Sequence, residues 1–131
     1  MDNKHSVSIE HVNVTVTHPE ATAAMLCKIF GWQVRWHGPS QMGGETYHVG
    51  TDNQYLAVYT YDHEPETAAN SSARTRGGLN HVGVQVADLD EVAERVKSAG
   101  YNPYSFGDYE PGKRFYFRDT DDIEYEVVSY S

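Results

Sequence analysis

The sequence predicts an α+β fold built from two tandem β-α-β-β-β modules, whose strands form a curved, mostly antiparallel sheet backed by helices. Two observations predict it. Residues 9–16 and 79–86 share nearly the same apolar alternation, and each segment has a histidine, His11 or His81, at its third position. The two histidines are 70 positions apart, and the glycines after the two predicted helices, Gly31 and Gly100, are 69 apart. A fixed internal period of this length indicates a duplicated supersecondary unit.

Module 1 is predicted over about residues 8–62. Its first strand, 8–16, alternates valines with polar residues, so that the valines occupy one face and His11 and Asn13 the other. Pro19 and Gly31 mark the start and the end of a helix. The inner face of that helix is predicted to contain Ala23, Leu26, Cys27 and Phe30. Further strands are predicted over 32–37, 45–50 and 55–61.

Module 2 is predicted over about residues 79–130, after a linker at 63–78 that has no apolar periodicity. Asp88 and Glu91 form a capping box at the start of its helix, and Gly100 ends that helix. The module closes with a hairpin. Its two strands are predicted over 115–118 and 124–130, and its turn over 119–122. We expect residues 1–131 to form a single domain of these two modules.

Composition limits the classes of function. The chain has 131 residues, with 19 acidic and 10 basic side chains and a net charge of −9, which opposes binding to nucleic acid or to an anionic membrane. No apolar stretch approaches the roughly 20 residues that span a bilayer. The lone Cys27 cannot form an internal disulfide, and residues 1–6 lack an apolar signal core. The sequence therefore predicts a cytoplasmic protein in which Cys27 is a small buried apolar residue.

The residues that could carry chemistry lie on the predicted strand faces away from the helices. His11 and His81 occupy equivalent positions on those faces, and Glu124 and Glu126 share one face of the last strand. A carboxylate among apolar residues is costly unless it pairs with a cation. Two imidazoles and one carboxylate are a known ligand set for a divalent metal ion with open coordination positions. By parity alone, either glutamate could serve.

The pattern resembles the vicinal-oxygen-chelate superfamily, which includes glyoxalase I, bleomycin- and fosfomycin-resistance proteins, methylmalonyl-CoA epimerase and extradiol dioxygenases. The resemblance covers about residues 8–130 and is most specific at 9–12, 80–84 and 115–126. The last stretch resembles the family's aromatic-Arg-Asp-Pro-Asp-Gly-Asn-x-x-Glu run, and it implies that Glu126, not Glu124, is the ligand. Within that run the family pattern is altered at turn positions, by Thr120, Asp122 and Ile123. The resemblance further implies a cup-shaped, glyoxalase-like domain that holds the metal on its floor and assembles as a homodimer.

The same resemblance implies a set of three ligands. The position in module 1 that corresponds to Glu126 is Ala57, so one carboxylate of the four-ligand glyoxalase I set is missing. His11, His81 and Glu126 remain, as in extradiol dioxygenases and fosfomycin-resistance transferases. The expected cofactor is a divalent metal ion, with Fe(II) favoured and Mn, Ni or Zn as alternatives.

Other residues are expected to serve the substrate. Tyr116 lies where both of those subfamilies have a functional tyrosine, so it is the predicted catalytic residue, and Tyr47 is its expected repeat mate. Tyr55 and Tyr59 share the parity of Ala57 and are expected to line the cup. Asn13, also expected to bind substrate, replaces a threonine of the fosfomycin transferases, which argues against a phosphonate substrate.

We therefore expect a metal-dependent enzyme that acts on a small oxygen-bearing molecule. Oxygenase-type chemistry is favoured over lyase, isomerase or thiol-transfer chemistry. The alternative is a non-catalytic binding protein similar to the bleomycin-sequestering members. Alanine in place of His81 or Glu126 is expected to abolish metal binding and to leave the fold mostly intact.

Overall fold

A computed structural model describes residues 6–131, which divide into two compact units. Unit 1 extends to Pro65 and unit 2 covers Glu66–Ser131. The boundary falls inside the predicted linker 63–78. Most of that linker is irregular, with one short 3₁₀ turn at Ser72–Arg74.

Unit 1 has the predicted β-α-β-β-β order. Its elements are β1 (His11–Thr15), α1 (Pro19–Phe30), β2 (Gln33–Pro39), β3 (Glu45–Gly50) and β4 (Tyr55–Tyr59). The strand order in the sheet is β1-β4-β3-β2, in which β1 and β4 are parallel and the other two pairs are antiparallel. The loop between β2 and β3 contains a 3₁₀ turn, Gln41–Gly43.

Unit 2 repeats this architecture. Its elements are β5 (Val82–Gln85), α2 (Leu89–Ser98), β6 (Tyr104–Tyr109), β7 (Gly112–Arg118) and β8 (Glu124–Ser129). The sheet order is β5-β8-β7-β6, with β5 and β8 parallel. The predicted module order and mostly antiparallel pairing are confirmed. Instead of one sheet shared by both modules, the strands form two four-stranded sheets, one in each unit.

The core of unit 1 lies between α1 and one face of its sheet. Ala23, Leu26 and Ile29 are buried on the helix and pack against the β3–β4 side. The predicted apolar face is confirmed at Ala23 and Leu26. Cys27 and Phe30 are only partly buried, because the helix rotates Ile29 into the core instead.

The core of unit 2 is aromatic. Below α2, one face of the β7–β8 pair consists of side chains that are almost fully buried: Phe115, Phe117, Tyr125 and Val127. The rings of Phe117 and Tyr125 stack with their centroids 4.9 Å apart. Since side chains alternate along a strand, Tyr116 and Glu126 belong to the opposite face.

Local signals in the sequence explain the ends of these elements. The side chain of Asp88 accepts a hydrogen bond from the Glu91 backbone N–H at 3.1 Å, so Asp88 is the N-cap of α2 as predicted. Gly31 and Gly100 adopt left-handed backbone conformations at the two helix ends, with φ of 72° and 93°. Asp122 also has a positive φ, 64°, at the turn where the family pattern has glycine.

Among residues 6–131, no helix combines the length and apolar character needed to cross a bilayer.

Candidate metal centre

The strands of unit 2 bring His81 and Glu126 together. His81 directly precedes β5, and β5 runs parallel to β8 with Gly83 opposite Glu126. The distance between His81 Nε2 and Glu126 Oε1 is 3.0 Å. The Glu126 side chain is 15% exposed and that of His81 is 36% exposed. The predicted pair is therefore in contact at the edge of solvent.

A second hydrogen bond sets the tautomer of the His81 ring. Its Nδ1 lies 2.8 Å from Asn80 Oδ1, and an amide oxygen can only accept, so Nδ1 donates. In the neutral ring, Nε2 then carries a lone pair that faces the carboxylate. Two such acceptors repel each other unless a cation, a proton or a metal ion, is shared between them. An imidazole nitrogen and a carboxylate oxygen are both donor types that a divalent metal ion binds.

His11 has the same local arrangement in unit 1. Its Nδ1 lies 2.8 Å from Glu10 Oε1, which again leaves Nε2 free for a ligand. Metal-binding histidines usually have their second nitrogen held in this way. The contact is not specific by itself, because His63 Nδ1 also lies 2.7 Å from the preceding Asp62. The carboxylate beside Nε2 distinguishes His81 from His63.

Arg114 binds the other oxygen of Glu126. The Arg114 Nη1 group donates to Glu126 Oε2 at 2.9 Å, and the Arg114 side chain is 13% exposed. Glu126 thus connects an imidazole to a guanidinium. Sequence reasoning missed this partner, although Arg114 lies two residues before Tyr116 and shares its strand face.

Tyr116 lies beside the same pair. It is opposite Glu126 in the β7–β8 register, and its ring meets that of His81 edge-on at 6.1 Å between centroids. Burial and the charge of Glu126 raise the pKa of the Tyr116 hydroxyl. It therefore stays protonated at neutral pH, as a hydrogen-bond donor or a proton source.

Glu124 is occupied elsewhere. Tyr104 donates a hydrogen bond to Glu124 Oε2 at 2.5 Å, and Arg118 Nη2 lies 3.7 Å from the same oxygen. Both glutamates are on one face, as predicted, but only Glu126 contacts His81. Arg118 also contacts Asp122, so it pairs with two nearby carboxylates.

Four of the other predicted residues lie on the face of the unit 1 sheet opposite α1: His11, Asn13, Tyr55 and Tyr59. The register places His11 beside Tyr55, Asn13 beside Ala57, and Tyr59 beside Thr15. The rings of His11 and Tyr55 stack at 4.8 Å, and the ring of His48 stacks on Tyr55 at 4.5 Å.

The position of Tyr47 differs from the prediction. Tyr47 pairs with the buried Val58, so its side chain belongs to the α1 face, and its ring stacks on His37 at 4.8 Å. The residue opposite Ala57 is His48. Because Tyr116 lies opposite Glu126, His48 and not Tyr47 is its structural counterpart. Burial lowers the pKa of His48, and the charges of His11 and Arg35 lower it further.

Within residues 6–131, no group of three or more His, Cys, Asp or Glu side chains is arranged to hold a metal ion. His81 and Glu126 would supply two ligand atoms to a metal ion, and water or substrate would fill its open coordination positions.

Comparison with known proteins agrees with this architecture. The model of the Glyoxalase/Bleomycin resistance protein/Dioxygenase superfamily matches residues 8–127. No curated protein matches the chain.

Solved structures similar to the chain share its fold. A glyoxylase/bleomycin resistance protein/dioxygenase domain from Frankia sp. EAN1pec has a TM-score of 0.79 and 22% identity, over 94% of this chain and 97% of that one. TioX from Micromonospora sp. ML1 has a TM-score of 0.68 and 21% identity, over 95% and 100%. The fosfomycin resistance protein FosX from Listeria monocytogenes, complexed with Mn(II) and dihydroxypropylphosphonic acid, has a TM-score of 0.68 and 19% identity, over 92% and 90%.

Proposed function

The chain belongs to the Glyoxalase/Bleomycin resistance protein/Dioxygenase superfamily, and on that premise we propose that it is a divalent-metal-dependent enzyme acting on a small oxygen-bearing molecule. The observation that carries the proposal is the contact between His81 Nε2 and Glu126 Oε1 at 3.0 Å, with Nδ1 already held by Asn80. A lone pair facing a carboxylate is an arrangement that a shared proton or a bound metal ion would complete.

His11 is the proposed third ligand. It occupies the position in module 1 that His81 occupies in module 2, and its Nδ1 is held by the preceding side chain in the same way. Unit 1 of the same chain or of a second chain in a homodimer would supply it. The homodimer and the cytoplasmic location predicted from the sequence are parts of this proposal.

The bound metal would act as a Lewis acid on adjacent substrate oxygens, or as the oxygen-activating centre if it is iron(II), the favoured metal. Mn, Ni and Zn are the alternatives. Two histidines and one glutamate leave positions open for substrate, which favours oxygenase-type chemistry over lyase, isomerase or thiol-transfer chemistry. The neutral Tyr116 hydroxyl would donate a hydrogen bond or a proton to a substrate oxygen. Asn13, Tyr55 and Tyr59 would contact the rest of the substrate.

A non-catalytic binding protein is the second candidate. Ala57 replaces one carboxylate, and Arg114 already neutralises Glu126 without a metal. The exposed ring of Trp36, with His48 at 5.1 Å, gives unit 1 an aromatic surface that suits a planar ligand. A binding protein would use these surfaces and need no metal.

Metal titration separates the two candidates. We expect chelator-treated protein to bind at least one of Mn(II), Ni(II), Zn(II) and anaerobic Fe(II), with a rise in its unfolding temperature. His81→Ala or His11→Ala should weaken that binding by about 100-fold or more, since loss of an outer-shell partner alone costs 10–100-fold. His63→Ala is the matched control, because its ring has the same kind of Nδ1 contact but does not occupy the repeat position that His11 and His81 share. Wild-type protein that binds none of these metals, or full metal occupancy in His81→Ala, would refute the proposed site.

Tyr116→Phe tests the proposed proton donor. Removing the hydroxyl should leave metal affinity unchanged and lower kcat by about 100-fold or more, the usual contribution of a positioned acid or base. The measurement requires a substrate found by screening compounds with adjacent oxygens. Tyr104→Phe is the control, because Tyr104 stacks on Tyr116 but bonds Glu124. Equal losses in the two variants would argue for a structural role.

A further inference from the structure

Arg114 is more than a counter-ion for Glu126. Only its Nη1 group contacts that carboxylate. Its Nε and Nη2 groups are buried and have no hydrogen-bond partner among the described residues. In a planar guanidinium, Nε–H and Nη2–H form one edge that matches the two oxygens of a carboxylate. Buried donors are normally paired, so a buried edge without a hydrogen-bond partner indicates a missing partner.

The surroundings of Arg114 show what that partner would be. Its Cζ lies 4.9 Å from the centroid of the Tyr109 ring, so an aromatic ring covers one face of the guanidinium. Gly107, opposite Arg114 in the β6–β7 register, leaves the space for that ring, since a Cβ there would lie 2.6 Å from Tyr109 Cε2. Tyr109 itself is 60% exposed, so rotation of its ring towards solvent would uncover the guanidinium.

From these contacts we propose that Arg114 binds a carboxylate group of the substrate through its Nε and Nη2 edge. This inference rests on the proposed function, because it places the substrate at the site of His81, Glu126 and Tyr116. Glu126 accepts a hydrogen bond from the Nη1 group of Arg114 alone, so the guanidinium can bind Glu126 and a substrate carboxylate at the same time. The substrate class is thereby narrowed to small oxygen-bearing carboxylic acids.

The test uses metal-free, full-length protein, so that it does not depend on the metal site. Sodium benzoate is titrated at constant ionic strength while the Arg114 Nε–H resonance is followed by ¹H–¹⁵N NMR, with inorganic phosphate and chloride titrated in parallel. We expect saturable movement of that resonance with benzoate, and weaker movement with phosphate. Arg114→Lys keeps the positive charge but loses the edge, so it should bind benzoate at least 10-fold more weakly.

Arg118→Lys is the matched control, because Arg118 lies on the same strand face and pairs with Glu124. It should bind benzoate as the wild type does. The inference is overturned if the Arg114 Nε–H resonance does not respond to benzoate, if phosphate is preferred, or if Arg114→Lys binds as tightly as the wild type. If the protein responds to benzoate but binds none of the four metals in the titration described above, the proposed metal enzyme is refuted and the carboxylate site is retained.

Discussion

Glu126→Ala is expected to abolish metal binding and to lower the free energy of unfolding by about 3–5 kcal/mol, the usual cost of removing one partner from a buried ion pair. Both side chains are mostly buried, with Glu126 15% and Arg114 13% exposed. Without Glu126 the guanidinium of Arg114 loses the only charged partner it has among residues 6–131, and it stays in a poorly solvated place. Urea denaturation of the metal-free protein measures the change.

This expectation reverses one drawn from the sequence. Considered without its neighbours, a carboxylate in an empty metal site is an unpaired charge whose removal should be harmless. In the structure, Arg114 supplies the counter-charge, so removal creates the unpaired charge instead. His81→Ala should behave differently from Glu126→Ala, because it breaks the 3.0 Å contact and leaves the ion pair intact.

A double-mutant cycle isolates the charge effect. Arg114→Met together with Glu126→Ala should be less destabilised than Glu126→Ala alone, because no charge is left unpaired. Glu126→Gln keeps the volume and one acceptor for Arg114, so it should cost less stability than alanine while still impairing metal binding. If Glu126→Ala and the double variant were equally unstable, the unpaired charge of Arg114 would not be the cause of the lost stability.

Much of the fold follows from local sequence signals. The helix α1 begins at Pro19 and ends before Gly31, and Asp88 caps α2, because these residues satisfy or terminate helical hydrogen bonds in any context. The pairing of His81 with Glu126 followed from parity along two strands and from the motif around the Asp119–Asp122 turn. That part of the site is encoded locally.

The fixed repeat period failed at Tyr47 for a physical reason. The turn between β3 and β4 covers residues 51–54, whereas the corresponding turn between β7 and β8 covers 119–123. A turn that is one residue shorter shifts the preceding strand by one position, and a one-residue shift exchanges the two faces of a strand. His48 therefore takes the place expected for Tyr47. The burial of Arg114 depends on its ion pair with Glu126, which tertiary packing creates. The sequence around Arg114 is typical of an exposed strand, so it did not predict this burial.

The second large effect is expected at Asp119, in the turn that precedes β8. One carboxylate oxygen of Asp119 accepts from the Asp121 and Ile123 backbone N–H groups at 2.9 and 3.0 Å. The other oxygen accepts from the buried Tyr125 hydroxyl at 2.9 Å. Asp119→Ala removes all three bonds and leaves the Tyr125 hydroxyl without this acceptor. The expected loss is about 3 kcal/mol or more, since bonds to a charged group are each worth roughly 1.5–3 kcal/mol and do not add fully. An alanine variant with wild-type stability in urea would show that the turn does not depend on the carboxylate.

Asp119→Asn separates the hydrogen bonds from the charge. Asparagine keeps an acceptor for the two backbone N–H groups, so the variant should fold with much smaller loss than alanine. Burial raises the pKa of Asp119 above its ordinary value of 3.8, and its hydrogen bonds only partly oppose this. The folded protein therefore binds the proton more tightly than the unfolded chain does. The stabilisation from protonation is complete below 3.8 and is lost as the pH rises through the raised pKa. As the pH falls from neutral towards 3.8, the wild type should gain stability relative to Asp119→Asn in paired urea denaturation curves. A difference that shrank in that direction would mean that the folded protein favours the ionised carboxylate, which would contradict burial as the dominant effect at this turn.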